Sequence, residues 1–427
     1  MGEMELTSGL RRVARLDLIG GGQVVVDGNY AFVGHMKPPQ GTSIIDVSDP
    51  KNPKLLTTIM LPDNNSHTHK VRVAGDIMVV NVEMNDRHFL RKGEKIPAAR
   101  AQLEEKLKRP PTNAEIAAEL HVKESEIPRL TDYLENGYKD GGFRIYDISD
   151  KTQPKLISFV KTHARGAHRF DIDENYAYIS TEMEGFAGNI LVIYDIRSPS
   201  KPVEVSRWWM PGQNQAAGEA PHPKGRDHSL HHAMRCGNEM YAGCWFSGIS
   251  IIDVSDISRP RTLGRHEYDP PHAEPTHTFL KVPFAINSRS IAVSTEEERP
   301  KRGADIGRPH APLRTWDVTD PAKPTILCTY QLDEQSQPYQ GDDVRFGTHQ
   351  LREQVDRDCM LYVTWFAAGL RMIDIADPAN PKEKGYFIPQ PTTGKTTPWT
   401  NDVAKDDRGL IFVTDKVCGL DVVEFDA

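Results

Sequence analysis

The 427-residue chain has only five cysteines, at 236, 244, 328, 359 and 418, and no two stand in CxxC spacing. That excludes a disulfide-stapled scaffold and a CxxC zinc or redox site. Scattered thiols in odd number read as those of a reduced, cytoplasmic protein. Long apolar runs are missing as well. No stretch approaches the ~20 residues that span a bilayer, and "MGEMELTSGLRRVARLDLIGGG" has no signal-like apolar core. Basic excess is also absent. At a net charge of −8, nothing draws the chain to nucleic acid or to an anionic membrane. No GxSxG, HExxH or Walker sequence occurs, and "GGG" at 20–22 lacks the helix and lysine of a phosphate loop.

What is present is a repeat. "SIIDVSDPKNPKLL" from Ser43 returns as "RIYDISDKTQPKLI" from Arg144, "VIYDIRSPSKPVEV" from Val192 and "SIIDVSDISRPRTL" from Ser250. It returns again as "RTWDVTDPAKPTIL" from Arg314 and "RMIDIADPANPKEK" from Arg371. Each copy is a β-branched apolar run, an Asp, a turn rich in Asp, Ser and Pro, and a second short strand. Two further strand-like segments precede each copy, as in "RFDIDENYAYISTE", so each unit holds four strands. A degenerate seventh copy, "GLDVVEFDA", ends the sequence without its last strand, and "LRRVARLDL" (10–18) resembles that strand. The expectation is an all-β, seven-bladed β-propeller over 1–427, in which the N-terminal strand closes the last blade and removes the open edges. An insertion at 85–139 within the second unit has helical periodicity, with Thr112 and Glu115 as a capping box. It is expected to be a helical lid and not a DNA-binding module.

These phrases resemble the LVIVD-repeat propeller proteins, "LVIYDI" (191–196) most of all. The layout is more distantly similar to the selenium-binding protein / methanethiol oxidase family. Both resemblances imply a propeller, a fold that hosts unrelated activities.

Aligning the units on their first strands places Gly22, His69, His168, His232, His277, His349 and Asn401 at one repeat position. First strands line a propeller's central channel, so five histidines there form a ring about the axis. The ends of the second strands bring Glu83, Glu182 and Glu296 beside His69, His168 and His277. Carboxylates behind histidines are what metal-bound imidazoles use to fix their tautomer. The expectation is an axial metal on four of the five histidines. All-imidazole ligation suits iron, copper, zinc or nickel and disfavours magnesium and calcium; iron(II) is expected first on the resemblance that follows, with copper or zinc as alternatives. The inventory is similar to that of carotenoid cleavage oxygenases, whose iron sits on a propeller axis with four histidines and three glutamates. His67, His163, His228, His231 and His272 in the adjoining loops are reserve ligands or acid–base groups.

Long loops at 211–231, 269–276, 336–348 and 388–400 and the insertion lie on the histidine face. Trp209, Trp245, Trp365 and Phe366 are candidate substrate contacts, pointing to a small apolar or aromatic substrate. The functional expectation is a non-haem iron oxygenase or oxidase using O₂. A metal-dependent hydrolase, lyase or isomerase and a nonenzymatic interaction propeller are the alternatives. Neither nucleic acid nor membrane is expected as a partner.

Overall fold

In the computed structural model the described residues are 6–18, 20–268, 274–298, 311–341, 344–391 and 394–426. His272 therefore lies outside them. The turn chemistry of the repeat explains the architecture. In all six copies the strand-ending aspartate accepts a hydrogen bond from the backbone N–H two residues on. These run Ser48 to Asp46 (2.9 Å), Ser149 to Asp147 (2.8 Å) and Arg197 to Asp195 (3.0 Å). They continue from Ser255 to Asp253 (2.8 Å), Thr319 to Asp317 (2.9 Å) and Ala376 to Asp374 (2.8 Å). Each Asx turn reverses the chain at one place, so the aspartates build turns.

The strands form seven antiparallel blades. Blade one is Gly21–Asp27, Tyr30–His35, Gln40–Asp46 and Lys54–Met60, paired in sequence order. Blade two has Val71–Ala74, Ile77–Met84, Gly142–Asp147 and Lys155–Lys161, with Ser66–His67 also pairing to Ile77–Met84. Blade three runs from Ala167–Ile172 to Val203–Trp208, blade four from His228–Cys236 to Arg261–His266, and blade five from Thr276–Ile286 to Thr325–Tyr330. Blade six consists of Met360–Thr364, Leu370–Asp374 and Lys382–Ile388, with a single bridge from Leu351 to Val363 inside them.

Blade seven closes as expected. Leu10–Leu16 pairs antiparallel with Gly419–Phe425, from Leu10 opposite Phe425 to Leu16 opposite Leu420. The sequence did not announce a second N-terminal strand: Leu6–Ser8 pairs with Lys382–Ile388 at the edge of blade six. One short N-terminal stretch therefore covers the outer edges of two blades.

Between blades, strand side chains interdigitate in dry clusters, such as Tyr178, Leu191, Ile193, Met240, Ala242 and Ile252 between blades three and four. Each such buried aliphatic side chain contributes roughly 1.5–3 kcal/mol.

The insertion of blade two leaves at the glutamate end of Ile77–Met84. It forms four helices, Arg87–Leu90, Ile96–Leu107, Asn113–Leu120 and Ile127–Asn136. The Thr112 capping box is present: Glu115 N–H donates to Thr112 Oγ1 (3.3 Å) and Thr112 N–H to Glu115 Oε2 (2.8 Å). Its apolar residues, among them Leu90, Ile116, Leu120 and Leu130, bury against one another and Met84. No described helix is long and apolar enough to cross a membrane.

Candidate functional site

The site follows from an irregularity that the inner strands share. Register shifts fall between Gly21 and Val24, Ala167 and Arg169, His228 and His232, Thr276 and Thr278, and Thr400 and Asp402. In blade two the strand is broken outright at Thr68–Lys70, and in blade six a loop takes its place. A bulge re-aims a side chain that regular pleating would bury between blades. Here it turns residues at the start of the inner strands toward the axis.

The resulting arc of imidazoles is His67, His69, His168, His231, His277 and His349. Successive ring centroids are 4.3, 5.3, 4.8, 4.2 and 4.2 Å apart. Of the five expected ligands, His69, His168, His277 and His349 lie in it and His232 does not. His232 is one residue beyond the bulge and lies one layer deeper, where its Nδ1 accepts from Arg169 Nε (3.1 Å). His231 occupies blade four's place in the arc. The sequence held a usable signal: "HKVRV", "HRFDI", "HTFL" and "HQL" all put one polar residue between histidine and apolar strand. By that pattern "HHAM" assigns the first histidine of the pair to the arc.

Tautomers separate the members. His168 donates Nδ1–H to Glu83 (2.9 Å), His231 to the His277 carbonyl (2.6 Å) and His349 to the Asn401 carbonyl (2.6 Å). His277 donates to Thr278 Oγ1 (2.9 Å), whose own hydrogen goes to Gln350 Oε1 (3.0 Å). These four therefore present Nε2 as a lone pair. His69 is different: Asn81 Nδ2, which also donates to the Ala167 carbonyl (3.0 Å), donates to His69 Nδ1 (3.2 Å). That leaves the His69 hydrogen on Nε2, 3.9 Å from Glu83. His67 bridges the Met36 carbonyl (3.1 Å) and Glu83 (3.0 Å).

The consequence is a conflict that a cation resolves. His168 Nε2 and His231 Nε2 are 3.0 Å apart, and with both rings held neutral by burial neither has a hydrogen to place between them. His277 Nε2 and Glu297 Oε2, also two acceptors, face each other at 3.9 Å. One donor atom from each of His231, His277 and Glu297 lies within 4.8 Å of the others, as for His67, His69 and Glu83. Two imidazoles on one metal at about 2.1 Å stand ~3.0–3.4 Å apart, so the first pair has ligand spacing. Burial holds His231, His277 and His349 neutral, with pKa values well below the ordinary one; neighbouring imidazoles act the same way on the first two. Neutral imidazole is the form a metal binds. The residues fit a metal ion.

Of the three expected carboxylates, only Glu83 touches the arc. Burial alone would raise its pKa, but His168 and Arg87 pull it well below the ordinary value. Arg87, from the first inserted helix, reaches Glu83 Oε1 at 2.7 Å, which ties the insertion to the site. Glu182 instead pairs with Arg165 (2.7 Å), and Glu296 with buried Arg314. In blade five Glu297 replaces Glu296, since adjacent strand residues face opposite sides. Burial would raise the Glu297 pKa, but Arg345, His349 and His231 hold it far down.

Two of the four expected substrate contacts adjoin the arc. Trp245 stacks on His231 at 5.0 Å, and Phe366 is 4.8 Å from His349. Trp365 is buried with Tyr330 and Phe346 in the interior of blades five and six, because it precedes Phe366 by one residue and points the other way. Trp209 packs on Phe186 (5.3 Å) and donates to Glu219 (3.0 Å), away from the arc. Among the reserve histidines, His228 bonds Ser247 Oγ (2.6 Å) and stacks on His222 (3.9 Å).

Four stretches, residues 21–60, 132–162, 164–208 and 360–388, match the LVIVD repeat. The chain carries LVIVD repeats. No curated protein matches it. Among solved structures, the periplasmic gluconolactonase PpgL of Pseudomonas aeruginosa is similar at a TM-score of 0.53 and 14% identity, over 93% of this chain and 88% of that one. A chain of the mitotic checkpoint complex gives 0.54 and 10%, over 97% and 92%. The computationally designed Ika8 protein gives 0.50 and 9%, over 97% and 99%. At these identities the likeness is one of fold. It supports a repeat propeller and lends nothing to the resemblances with the selenium-binding and carotenoid-cleavage families.

Glu83→Gln is a direct test of the arc's electrostatics. It removes the charge opposite Arg87 and weakens the acceptor that fixes the His168 tautomer. The expected loss is about 10- to 100-fold in metal affinity. Glu182→Gln, which alters only a pair with Arg165, should leave affinity unchanged; competition titration against a chelator checks both.

Proposed function

We propose that the chain is a metalloenzyme whose metal is held by His168, His231, His277 and His349, with Glu297 beside it. The observation that carries this reading is the pair of lone-pair nitrogens 3.0 Å apart on His168 and His231. The preferred ion is iron(II), and the reaction class an oxygenase or oxidase acting on a small apolar or aromatic substrate. Imidazole donors with no thiolate suit iron, copper or zinc and disfavour magnesium and calcium. When bound, the metal would supply Lewis acidity and, as iron or copper, a redox centre.

The chain's own groups do the rest. Thr278 and the carbonyls of His277 and Asn401 fix the imidazole tautomers. Glu83 orients His168, and Trp245 and Phe366 wall the arc with aromatic surface that excludes water. The inserted helices, through Arg87, serve as the cover of this face. All five cysteines are free, which fits a reducing, cytoplasmic compartment.

A second reading, a metal-dependent hydrolase, takes support from the lactonase named among the structural neighbours. Metal analysis of untagged protein separates the readings. Iron or copper with O₂ uptake is the expected result. Zinc without O₂ uptake would favour the hydrolase, lyase or isomerase class, and a metal-free protein would leave an interaction propeller.

A further inference from the structure

The arginines around the arc have carboxylate partners: Arg87 on Glu83, Arg165 on Glu182 and Arg345 on Glu297. Lys416 differs. Among the described residues no carboxylate oxygen lies within 4.0 Å of its Nζ, and its side chain makes no hydrogen bond. Its ammonium instead lies 4.5 Å over the Trp399 ring. Arg345 lies 5.3 Å from that ring and 4.0 Å from Phe366, which abuts His349 at 4.8 Å. Lys416, Trp399 and Phe366 thus form one wall, at the gap in the arc where Asn401 and Gly22 supply no imidazole.

The position is built rather than incidental. Lys416 N–H donates to the Trp399 carbonyl (3.0 Å), and the Lys416 carbonyl accepts from Gly20 N–H (3.0 Å). Burial, with Arg345 and Lys37 nearby, drives the lysine's pKa down to about 7, although Glu297 and Asp415 oppose the shift from beyond ion-pair distance. A half-buried ammonium without a partner is a standing desolvation cost, and cation–π contact with one ring offsets only part of it. An anion arriving from solvent removes the rest.

We propose that Lys416 anchors a carboxylate on the substrate, whose aromatic or apolar body lies along Trp399 and Phe366 toward the histidine arc. One unpaired cation beside Glu297 suits a monoanion better than a phosphate dianion. This rests on the metalloenzyme reading only in calling the ligand a substrate; carboxylate binding itself needs no metal.

The probes are benzoate and benzamide, equal in ring and size but not in charge, titrated calorimetrically into the full-length protein. Benzoate is expected to bind about tenfold or more tightly than benzamide, as contact with a charged donor gives. Lys416→Met should abolish that preference and Lys416→Arg should restore part of it, with circular dichroism and metal content unchanged in both. Absence of benzoate binding, equal binding of the two probes, or an undiminished preference in Lys416→Met would each overturn the proposal. If metal analysis finds no metal while the preference and its dependence on Lys416 persist, the carboxylate site stands and the metalloenzyme reading falls.

Discussion

His231→Ala is expected to strip the protein of metal, whereas the same change at the adjacent His232 leaves occupancy intact. Loss of a carboxylate behind a ligand costs ~10- to 100-fold in affinity, and loss of the ligand itself costs more. Occupancy after dialysis should therefore fall below about a tenth. The contrast is sharp because the two residues differ in geometry and not in type. His231 presents an Nε2 lone pair 3.0 Å from that of His168. His232 spends Nδ1 on Arg169 in the layer beneath. His277→Ala should match His231→Ala. His69→Ala should be mild, since the His69 hydrogen lies on the nitrogen nearest Glu83. Gly22 is no neutral control: a Cβ there would stand 2.6 Å from the His69 carbonyl oxygen, so a substitution would displace blade two. Equal metal content in His231→Ala and wild type, measured by plasma emission, would remove the axial site.

Deleting residues 1–18 is expected to leave an insoluble chain. The deletion uncovers the Gly419–Phe425 edge of blade seven and the Lys382–Ile388 edge of blade six together. It also removes fully buried Leu10. Exposed strand edges of this length pair with other chains. A subtler variant keeps the strand. Asp421 is fully buried and meets Arg12 at 2.7 Å and Arg15 at 3.2 Å. Arg12→Ala with Arg15→Ala should cost on the order of 3 kcal/mol, the low end of the ~3–5 kcal/mol for breaking a buried pair, since both guanidinium groups are partly wet.

The pH dependence of that variant has a definite sign. Burial raises the Asp421 pKa to about 6 although Arg12 and Arg15 oppose it. The folded state then binds more protons than the unfolded chain between about 4 and 6, so this group's contribution falls as pH rises through that window. Without the arginines the folded pKa rises further. Urea denaturation should show a smaller deficit at pH 5 than at pH 7. A deficit that grows on acidification would contradict the assignment.

The repeat made the blades legible. Asp46 and its five counterparts recur with one turn chemistry, and the missing strand of "GLDVVEFDA" matched one left over at 10–18. Local turn geometry and period-two patterning need no tertiary information. Four of the five expected histidines, His69, His168, His277 and His349, fall in the arc because a repeat position maps to one radius from the axis. Glu83, Trp245 and Phe366 followed from their place at strand ends.

Which neighbour in each pair faces the axis was decided only in the folded chain. The bulges at the inner strand starts shift the count by one, and in a strand one residue is the difference between two faces. That is why His231 and not His232, Glu297 and not Glu296, and Phe366 but not Trp365 reach the site. Which nitrogen each imidazole offers is likewise tertiary, set by carbonyls of the next blade at His277 and Asn401. Lys416 had no motif at all; only folding lays its ammonium over the Trp399 ring. The sequence by itself determined the ring, its radius and its closure, because those are repeated and local. Facing, tautomer and charge balance depend on atoms contributed by neighbouring blades, and only the closed propeller brings those together.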